Sequence, residues 1–135
     1  MKIEEYKNEH LDQIMEIENR SFKQPYDSDI FLSYTGSPLF LVALDGNRVL
    51  GYILGTRSGV IVSIAVDPKY RRKGLGKALL DALLDRIKIP RIKLTVRVGN
   101  RGAQRFYIKM GFKPRKKIPK YYENGEDAIL MSMDR

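Results

Sequence analysis

The sequence has no cysteine, one histidine and no long apolar run, and each absence excludes a class of protein. Without cysteine the 135-residue chain can form neither disulfides nor thiolate metal sites. His10 alone makes a histidine metal site or a Ser-His-Asp triad hard to build, and we expect it at the surface. No apolar stretch approaches the ~20 residues of a membrane span, and the first residues lack a signal-peptide core. We therefore expect a soluble, cytoplasmic protein with one domain over residues 1–135 and no membrane partner.

Positive charge is concentrated in the second half of the chain. The formal net charge is +9, yet residues 1–30 carry four Lys or Arg against eight Asp or Glu. Residues 69–120 carry eighteen Lys or Arg against two Asp or Glu. Such a surplus either forms a solvated basic face or attracts a polyanion, of which a phosphorylated cofactor and a nucleic acid are the two candidates.

A basic turn with two glycines stands between an apolar strand and an amphipathic helix. The strand ends at Asp67-Pro68, and the turn continues through Arg71, Arg72, Lys73, Gly74, Leu75, Gly76 and Lys77. The first amides of a helix have no intrahelical partner, and the helix dipole favours an anion there. Because glycine has no side chain, the backbone can approach a phosphate closely. The segment is therefore predicted to bind phosphate, although it matches neither a P-loop nor a dinucleotide fingerprint.

The hydrophobic periodicity predicts a mixed α/β chain. We expect strands at residues 2–6, 39–44, 49–56, 59–66, 92–98 and 128–133, a hairpin turn at 45–48, and extended chain from residue 112. We expect helices near residues 11–22, 28–34, 75–87 and 103–110, the last stopped by Gly111. The order is a β-hairpin followed by a strand–helix–strand–helix–strand core.

Four separated segments resemble conserved blocks of the GNAT acetyltransferase superfamily. Residues 71–76 fit its acyl-CoA signature, Arg-x-x-Gly-x-Gly, and residues 96–112 resemble its second block. Residues 22–26 resemble the Phe-x-x-Pro-Trp substrate loop of protein N-terminal acetyltransferases, with Tyr26 in place of the tryptophan. Residues 121–128 resemble the C-terminal segment of the same enzymes. The chain is identified as a member of this superfamily, similar to the ribosomal-protein alanine N-acetyltransferases and their archaeal relatives.

The resemblance implies a fold, a cosubstrate and a set of contacts. The fold would be α/β (α+β), with a mixed central sheet flanked by helices, and acetyl-CoA would be the acetyl donor. The strand backbone at Ile64, Ala65 and Val66 would pair with the pantetheine arm, and the basic turn from Arg71 to Lys77 would wrap the pyrophosphate.

Two further residues receive roles from the same resemblance. Asn100 would contact the coenzyme A arm, and Tyr107 would lie beside the thioester sulfur and protonate the leaving thiolate. Taken from the residues alone, Asn100 is equally well explained as a helix N-cap, and Tyr107 as a core aromatic residue.

The general base departs from the family pattern. Alanine N-acetyltransferases carry a glutamate where this chain has Thr95, and the central strand offers no carboxylate. An α-amino group, with a pKa of ~7.7–8.0 against ~10.4 for lysine, needs the least help to lose its proton. This favours a protein N-terminus as the acceptor. Candidates for a base acting through water are Glu123, Glu126 and Asp127.

Three tyrosines are the candidate peptide-binding residues: Tyr26, Tyr121 and Tyr122. If Tyr121 and Tyr122 instead belong to a strand, one faces inward and the other outward. The basic run at 113–120 is either a solvated loop or a surface for acidic substrates or ribosomal RNA.

Three functions stay open on the sequence. The first is acetyl transfer from acetyl-CoA to the N-terminal amine of a protein, such as a ribosomal protein, by direct attack without a covalent enzyme intermediate. The second is acetylation of small amines such as polyamines. The third is a non-catalytic, basic RNA- or ribosome-binding module. On the first two, nucleic acid is no partner beyond what a nearby ribosome presents.

Overall fold

The computed structural model describes residues 1–71 and 73–135, and their contacts divide them into two compact units. The first unit consists of Met1–Arg57 and Val62–Lys88, and the second of Ser58–Ile61 and Ile89–Arg135. Arg72, one of the predicted phosphate ligands, lies outside the described residues.

Among its described residues, the first unit contains a four-stranded sheet and three α-helices. In chain order they are β1 (Lys2–Glu5), α1 (Leu11–Ser21), α2 (Ser28–Leu32), β2 (Phe40–Asp45), β3 (Arg48–Gly55), β4 (Ile61–Val66) and α3 (Leu75–Leu84). Short 3-10 turns precede α1 and follow β4. The sheet order is β1-β2-β3-β4, so β4 lies at its edge and leads directly into the basic turn.

The register of this sheet follows from the β2–β3 hairpin. Phe40 lies opposite Leu54 in an antiparallel pair, and the turn is built on Gly46 at φ 58°. A positive φ at this position suits glycine and confirms the predicted hairpin. β1 adds antiparallel to β2, with Lys2 opposite Leu44.

The core of the first unit is apolar and aromatic. Ile14 of α1, Phe31 of α2, Phe40 of β2 and Tyr52 of β3 are fully buried in one cluster. α3 packs against β3 at Gly55, where an added Cβ would lie 2.8 Å from Leu83 Cδ2. The periodicity of apolar residues in the sequence thus reports the faces that these elements bury.

The second unit is a three-stranded antiparallel sheet with one helix. Its elements are β5 (Arg91–Arg97), α4 (Arg101–Lys109), β6 (Lys113–Ile118) and β7 (Ala128–Asp134). The strand order is β5-β7-β6, with Thr95 opposite Leu130 and Lys117 opposite Ile129. β6 is an edge strand whose lysines and arginine are exposed, which blocks unwanted pairing with other strands.

The structure confirms the order of elements and changes three details. The strands form two hydrogen-bonded sheets of four and three strands rather than one. Gly59 and Val60 lie outside β4: Gly59 has φ +88°, its carbonyl accepts from Lys93 N at 2.9 Å, and Val60 forms a parallel bridge to Lys93. The expectation of a surface His10 is wrong. His10 is buried, and its Nδ1 accepts from Lys7 N at 3.0 Å, which closes the turn before α1.

Within the described part of the chain, none of the helices combines the length and the apolar character needed to cross a bilayer.

Candidate active site

The turn after β4 is shaped by Asp67 and Pro68. Asp67 is buried, and its side chain accepts from Lys69 N at 3.0 Å while its carbonyl accepts from Tyr70 N at 2.8 Å. Pro68 stands at the first position of this 3-10 turn, where its fixed φ is favourable. The Asp-Pro pair therefore ends the strand and directs the chain toward α3.

Gly74 forms the N-cap of α3 in a left-handed conformation. Its φ is 77°, and no side-chain cap is seen at this helix start among the described residues. An added Cβ would meet nothing within 4 Å, so the backbone conformation rather than lack of space favours glycine there. The first helical hydrogen bond runs from Ala78 N to Gly74 O at 3.0 Å. The amides before Ala78 therefore point out of the helix start, as a phosphate site requires.

Arg71 folds back onto the first unit. Its Nε donates to Val66 O at 3.0 Å, and Nη2 donates to Ser21 Oγ at 3.3 Å. The guanidinium thereby ties the turn to the end of β4 and the end of α1. Two of its five N–H groups take part in these contacts, so donors are left over for a phosphate.

The other predicted donor-binding residues divide into buried and exposed groups. Ile64, Ala65, Val66, Leu75 and Gly76 are buried, in keeping with backbone contacts only. Lys73 and Lys77 are exposed. Lys73 Nζ lies 5.8 Å from the Tyr70 ring centre, and Lys77 pairs with Asp81 at 3.1 Å. Exposed pairs of this kind are weak, so Lys77 can be drawn to a stronger anion.

Glu18 is a buried carboxylate that is absent from the predicted site. It is 1% exposed, and it accepts from the Tyr52 hydroxyl, from Ser63 Oγ at 3.0 Å and from Tyr26 N at 3.0 Å. A signal for it exists in the sequence: Glu18 lies four residues from Ile14 and four from Phe22, within the apolar stripe of α1. A charged residue on a buried helix face needs partners, and these partners are polar groups of the first unit.

Tyr26 lies in the loop that Glu18 holds. The ring is 43% exposed and packs edge-on against Phe31, with ring centres 6.4 Å apart. The Tyr26 ring is therefore accessible from solvent, and its contact with a peptide stays a prediction.

In the second unit, Thr95 and Tyr122 meet. Their hydroxyl groups form a hydrogen bond, and the Arg97 guanidinium carbon lies 3.8 Å from the Tyr122 ring centre. Burial raises the pKa of Tyr122 above its ordinary value, and the Thr95 bond and the Arg97 charge oppose that rise. The position where the family places a glutamate is thus occupied by a neutral hydroxyl pair beside a cation.

Tyr121 and Tyr122 belong to the β6–β7 loop, so the reading of them as a strand pair is wrong. Their rings meet edge-on with centres 5.0 Å apart, and Tyr121 is 51% exposed. The turn at Gly125 and the bond from Tyr122 N to Glu126 O at 3.1 Å hold the two side chains on the same short loop.

The candidate carboxylates are already engaged. Glu126 accepts from Arg97 Nη1 at 3.1 Å and Gly99 N at 3.2 Å, and the Arg97 bond lowers the pKa of Glu126. Asp127 accepts from Lys120 N at 2.9 Å, and this backbone bond lowers the pKa of Asp127. A carboxylate with a lowered pKa is a weaker base, so both are poorly suited to take a proton from an amine. Glu123 is exposed.

Asn100 lies at the start of α4, and Tyr107 lies in the last turns of the same helix. Asn100 is the N-cap, since its Oδ1 accepts from Ala103 N at 3.1 Å; its amide nitrogen is the group suited to a second contact. Tyr107 is buried, and its ring packs edge-on at 6.1 Å from Phe112. The structure therefore confirms Asn100 as a helix N-cap and Tyr107 as a core aromatic residue. Their contacts with coenzyme A stay predictions.

A mixed α/β fold and a helix that starts at Gly74 after an Asp-Pro turn are compatible with a domain that binds a phosphorylated ligand. The model of the acetyltransferase (GNAT) family matches residues 8–112. The chain therefore belongs to the GNAT acetyltransferase family.

The relatives support this assignment over most of the chain. The chain is 42% identical, over 97% of its length and 90% of the relative, to an uncharacterised N-acetyltransferase of Methanocaldococcus jannaschii. It is 35% identical to an N-alpha-acetyltransferase of Saccharolobus solfataricus, over 90% and 86% of the two chains. It is 32% identical to the ribosomal protein bS18-alanine N-acetyltransferase of Escherichia coli, over 87% and 86%. Among solved structures, Ard1 from Thermoplasma volcanium matches with a TM-score of 0.88 and 30% identity, over 98% and 96%.

Proposed function

We propose that this enzyme transfers an acetyl group from acetyl-CoA to the N-terminal α-amino group of a protein. The observation that supports acetyl-CoA as the donor is the turn between β4 and α3, where Gly74 adopts a left-handed conformation at the start of the helix. The assignment of a protein N-terminus as the acceptor is supported by Tyr26, Tyr121 and Tyr122. It is also supported by relatives that are named N-alpha-acetyltransferase and bS18-alanine N-acetyltransferase.

The residues of the first unit fit a diphosphate-bearing donor. The amides at the start of α3 supply hydrogen-bond donors, and the remaining N–H groups of Arg71 and the ammonium groups of Lys73 and Lys77 supply charge. The β4 backbone at Ile64, Ala65 and Val66 would pair with the amide groups of the pantetheine arm. The concentration of positive charge over residues 69–120 attracts this polyanion.

Acetyl-CoA supplies an activated thioester, so the protein has only to position the two substrates and to transfer protons. The neutral amine attacks the carbonyl carbon, the new C–N bond forms and the C–S bond breaks. We assign to the Tyr107 hydroxyl the proton that the leaving thiolate takes up. The amine's surplus proton passes to water, and Tyr107 is reprotonated from solvent.

No strong base is needed for this acceptor. Roughly a tenth of α-amino groups are neutral at pH 7, whereas the pKa of a lysine side chain is about 2.5 units higher. The hydroxyl pair of Thr95 and Tyr122 would then hold the water that accepts the proton. Polyamines are disfavoured by the same surplus of positive charge that attracts the donor.

The test combines donor binding with an acceptor panel. Acetyl-CoA is titrated by calorimetry, and thiol release is then followed with peptides that differ in their first residue, a peptide blocked at its N-terminus but carrying lysine, and spermidine. We expect release with free N-termini and little with the other two. Faster turnover of spermidine than of any peptide would reject the acceptor. Salt-sensitive RNA binding without acetyl-CoA binding would instead favour the non-catalytic module.

A further inference from the structure

The Glu18 carboxylate connects four parts of the first unit. It lies on the last turns of α1 and is 1% exposed. One oxygen, Oε1, accepts from the Tyr52 hydroxyl on β3 and from Ser63 Oγ on β4. The other oxygen, Oε2, accepts from the Tyr26 amide in the loop that follows α1. The described donors to this buried carboxylate are two hydroxyls and a backbone amide, all uncharged.

Burying a carboxylate among neutral donors is unfavourable for stability. An apolar side chain of similar volume is often as stable or more stable in such a place, provided that the neighbouring polar groups are also replaced. Packing alone therefore gives no reason for glutamate at this position. What a leucine cannot do is accept the Tyr26 N–H.

The Tyr26 bond sets the course of the loop. Residues 22–27 contain no regular secondary structure, and α2 begins only at Ser28. Oε1 is held by the hydroxyls of two strands, so Oε2 has a fixed direction, and the loop is fixed in turn at Tyr26. The Tyr26 ring is thereby presented outward next to its packing partner Phe31.

We propose that Glu18 is a positioning residue for the acceptor: it holds Tyr26 and its loop in the conformation that binds the peptide. This proposal rests on the proposed function, because it assumes a peptide acceptor. The predicted pyrophosphate contacts lie in the turn after β4. The predicted pantetheine contacts use the β4 backbone, which Glu18 reaches only through the Ser63 side chain. Loss of the bond between Glu18 and Tyr26 should therefore affect peptide binding and leave acetyl-CoA binding unchanged.

The experiment compares three variants. E18Q keeps an acceptor for the Tyr26 amide, while its new NH₂ group can donate to the Tyr52 and Ser63 oxygens. E18A removes the acceptor. This substitution also removes the acceptor of two buried hydroxyls, which is unfavourable for folding. A third variant therefore combines Glu18→Leu with Tyr52→Phe and Ser63→Ala, so that neither hydroxyl is left without its acceptor. Glu5→Gln, at an exposed pair with Arg86, serves as the matched Glu-to-Gln control.

Two measurements are made on each variant. Amide hydrogen exchange at Tyr26 reports the bond directly, and steady-state kinetics separate the KM for peptide from the KM for acetyl-CoA and from kcat. We expect E18A and the triple variant to lose protection at Tyr26 and to raise the peptide KM about tenfold, with the acetyl-CoA KM within about twofold. E18Q should keep both protection and kcat, and E5Q should match the wild type.

Two outcomes would overturn the proposal. The first is an unchanged peptide KM in a folded variant whose Tyr26 amide is unprotected. The second is E18Q with Tyr26 still protected but kcat lost and the pH–rate profile altered, which would make Glu18 a proton acceptor instead. If the wild type acetylates no peptide, the proposed function fails and the peptide role of Glu18 fails with it. The exchange measurement then still decides whether Glu18 holds the loop.

Discussion

The Arg97 guanidinium carbon lies 3.8 Å from the centre of the Tyr122 ring, although the two residues are 25 positions apart in the sequence. Arg97 ends β5, and the same side chain donates to Glu126 at 3.1 Å. Cation–π contact and ion pair together fix the β6–β7 loop, which carries Tyr121 and Tyr122, against the end of β5.

Removing Arg97 should therefore loosen the β6–β7 loop, which we propose binds the peptide. For Arg97→Met, which keeps the apolar length but not the charge, we expect the peptide KM to rise about fivefold, since a partly exposed cation–π contact contributes about 1 kcal/mol. Arg91→Met is the matched control, because Arg91 pairs with Asp134 at 2.8 Å elsewhere on β5. Steady-state kinetics with one peptide check both, and equal effects of the two substitutions would contradict a specific role for Arg97.

The ion pair also predicts a pH dependence of stability. The pKa of Glu126 is lowered from its ordinary value of 4.5, chiefly by Arg97, so the folded state favours the carboxylate. Its contribution is present above about pH 4.5 and is lost as the pH falls through the lower, folded-state pKa. Glu126→Gln should reduce stability at pH 7 and flatten the fall of Tm as the pH drops below about 4.5. If the Tm of the variant fell with pH in parallel to that of the wild type, the ion pair between Arg97 and Glu126 would not contribute to the pH dependence of stability.

Gly74 should be sensitive to any side chain. At φ 77° an alanine is strained by roughly 1 kcal/mol, and relief of that strain would change the helix start that presents the amides. We expect Gly74→Ala to weaken acetyl-CoA binding about tenfold, measured by calorimetry. Gly36→Ala is the control, because Gly36 also has a positive φ and nothing within 4 Å of an added Cβ. Gly36→Ala should lose similar stability and keep its affinity for acetyl-CoA. Equal losses of affinity in the two variants would refute the proposal that the turn before α3 binds acetyl-CoA.

Tyr107→Phe isolates the proposed acid. The change removes one hydroxyl from a buried ring, so the fold and the peptide KM should persist, while kcat falls about 100-fold. Tyr6→Phe, at another buried tyrosine whose hydroxyl donates to Asn8 at 3.0 Å, controls for loss of a structural hydrogen bond. A Tyr107→Phe enzyme with full rate at every pH would show that the thiolate leaves without this proton.

Thr95→Glu introduces the carboxylate that the resemblance to alanine N-acetyltransferases leads us to expect at this position. In the wild type, kcat/KM should rise with pH toward the pKa of the substrate amine, ~7.7–8.0, because the amine must lose its proton before attack. A glutamate beside Tyr122 would take that proton, so the rise should begin at lower pH. Thr95→Gln has the same size without the base and should keep the wild-type profile. Identical profiles for the two variants would show that this position does not handle the proton.

Local features of the sequence determined the parts of this protein that depend on neighbouring residues. Asp67-Pro68 predicts the turn, Gly46 predicts the hairpin, and Gly74 predicts the start of α3, because backbone conformation and helix capping act over a few residues. Apolar periodicity likewise predicts the faces of α3 and α4, and the segments resembling the GNAT family identify the class of enzyme.

Only the tertiary structure decided which distant residues meet. Glu18 binds hydroxyls 34 and 45 positions further along the chain, and Thr95 of β5 meets Tyr122 of the β6–β7 loop. Periodicity shows which side of an element is buried, but strand order and register select the partner, and those depend on packing of the whole unit. For the same reason a charged residue within the stripe of α1 reads as a surface residue until its partners are seen, and so does His10 beside that helix.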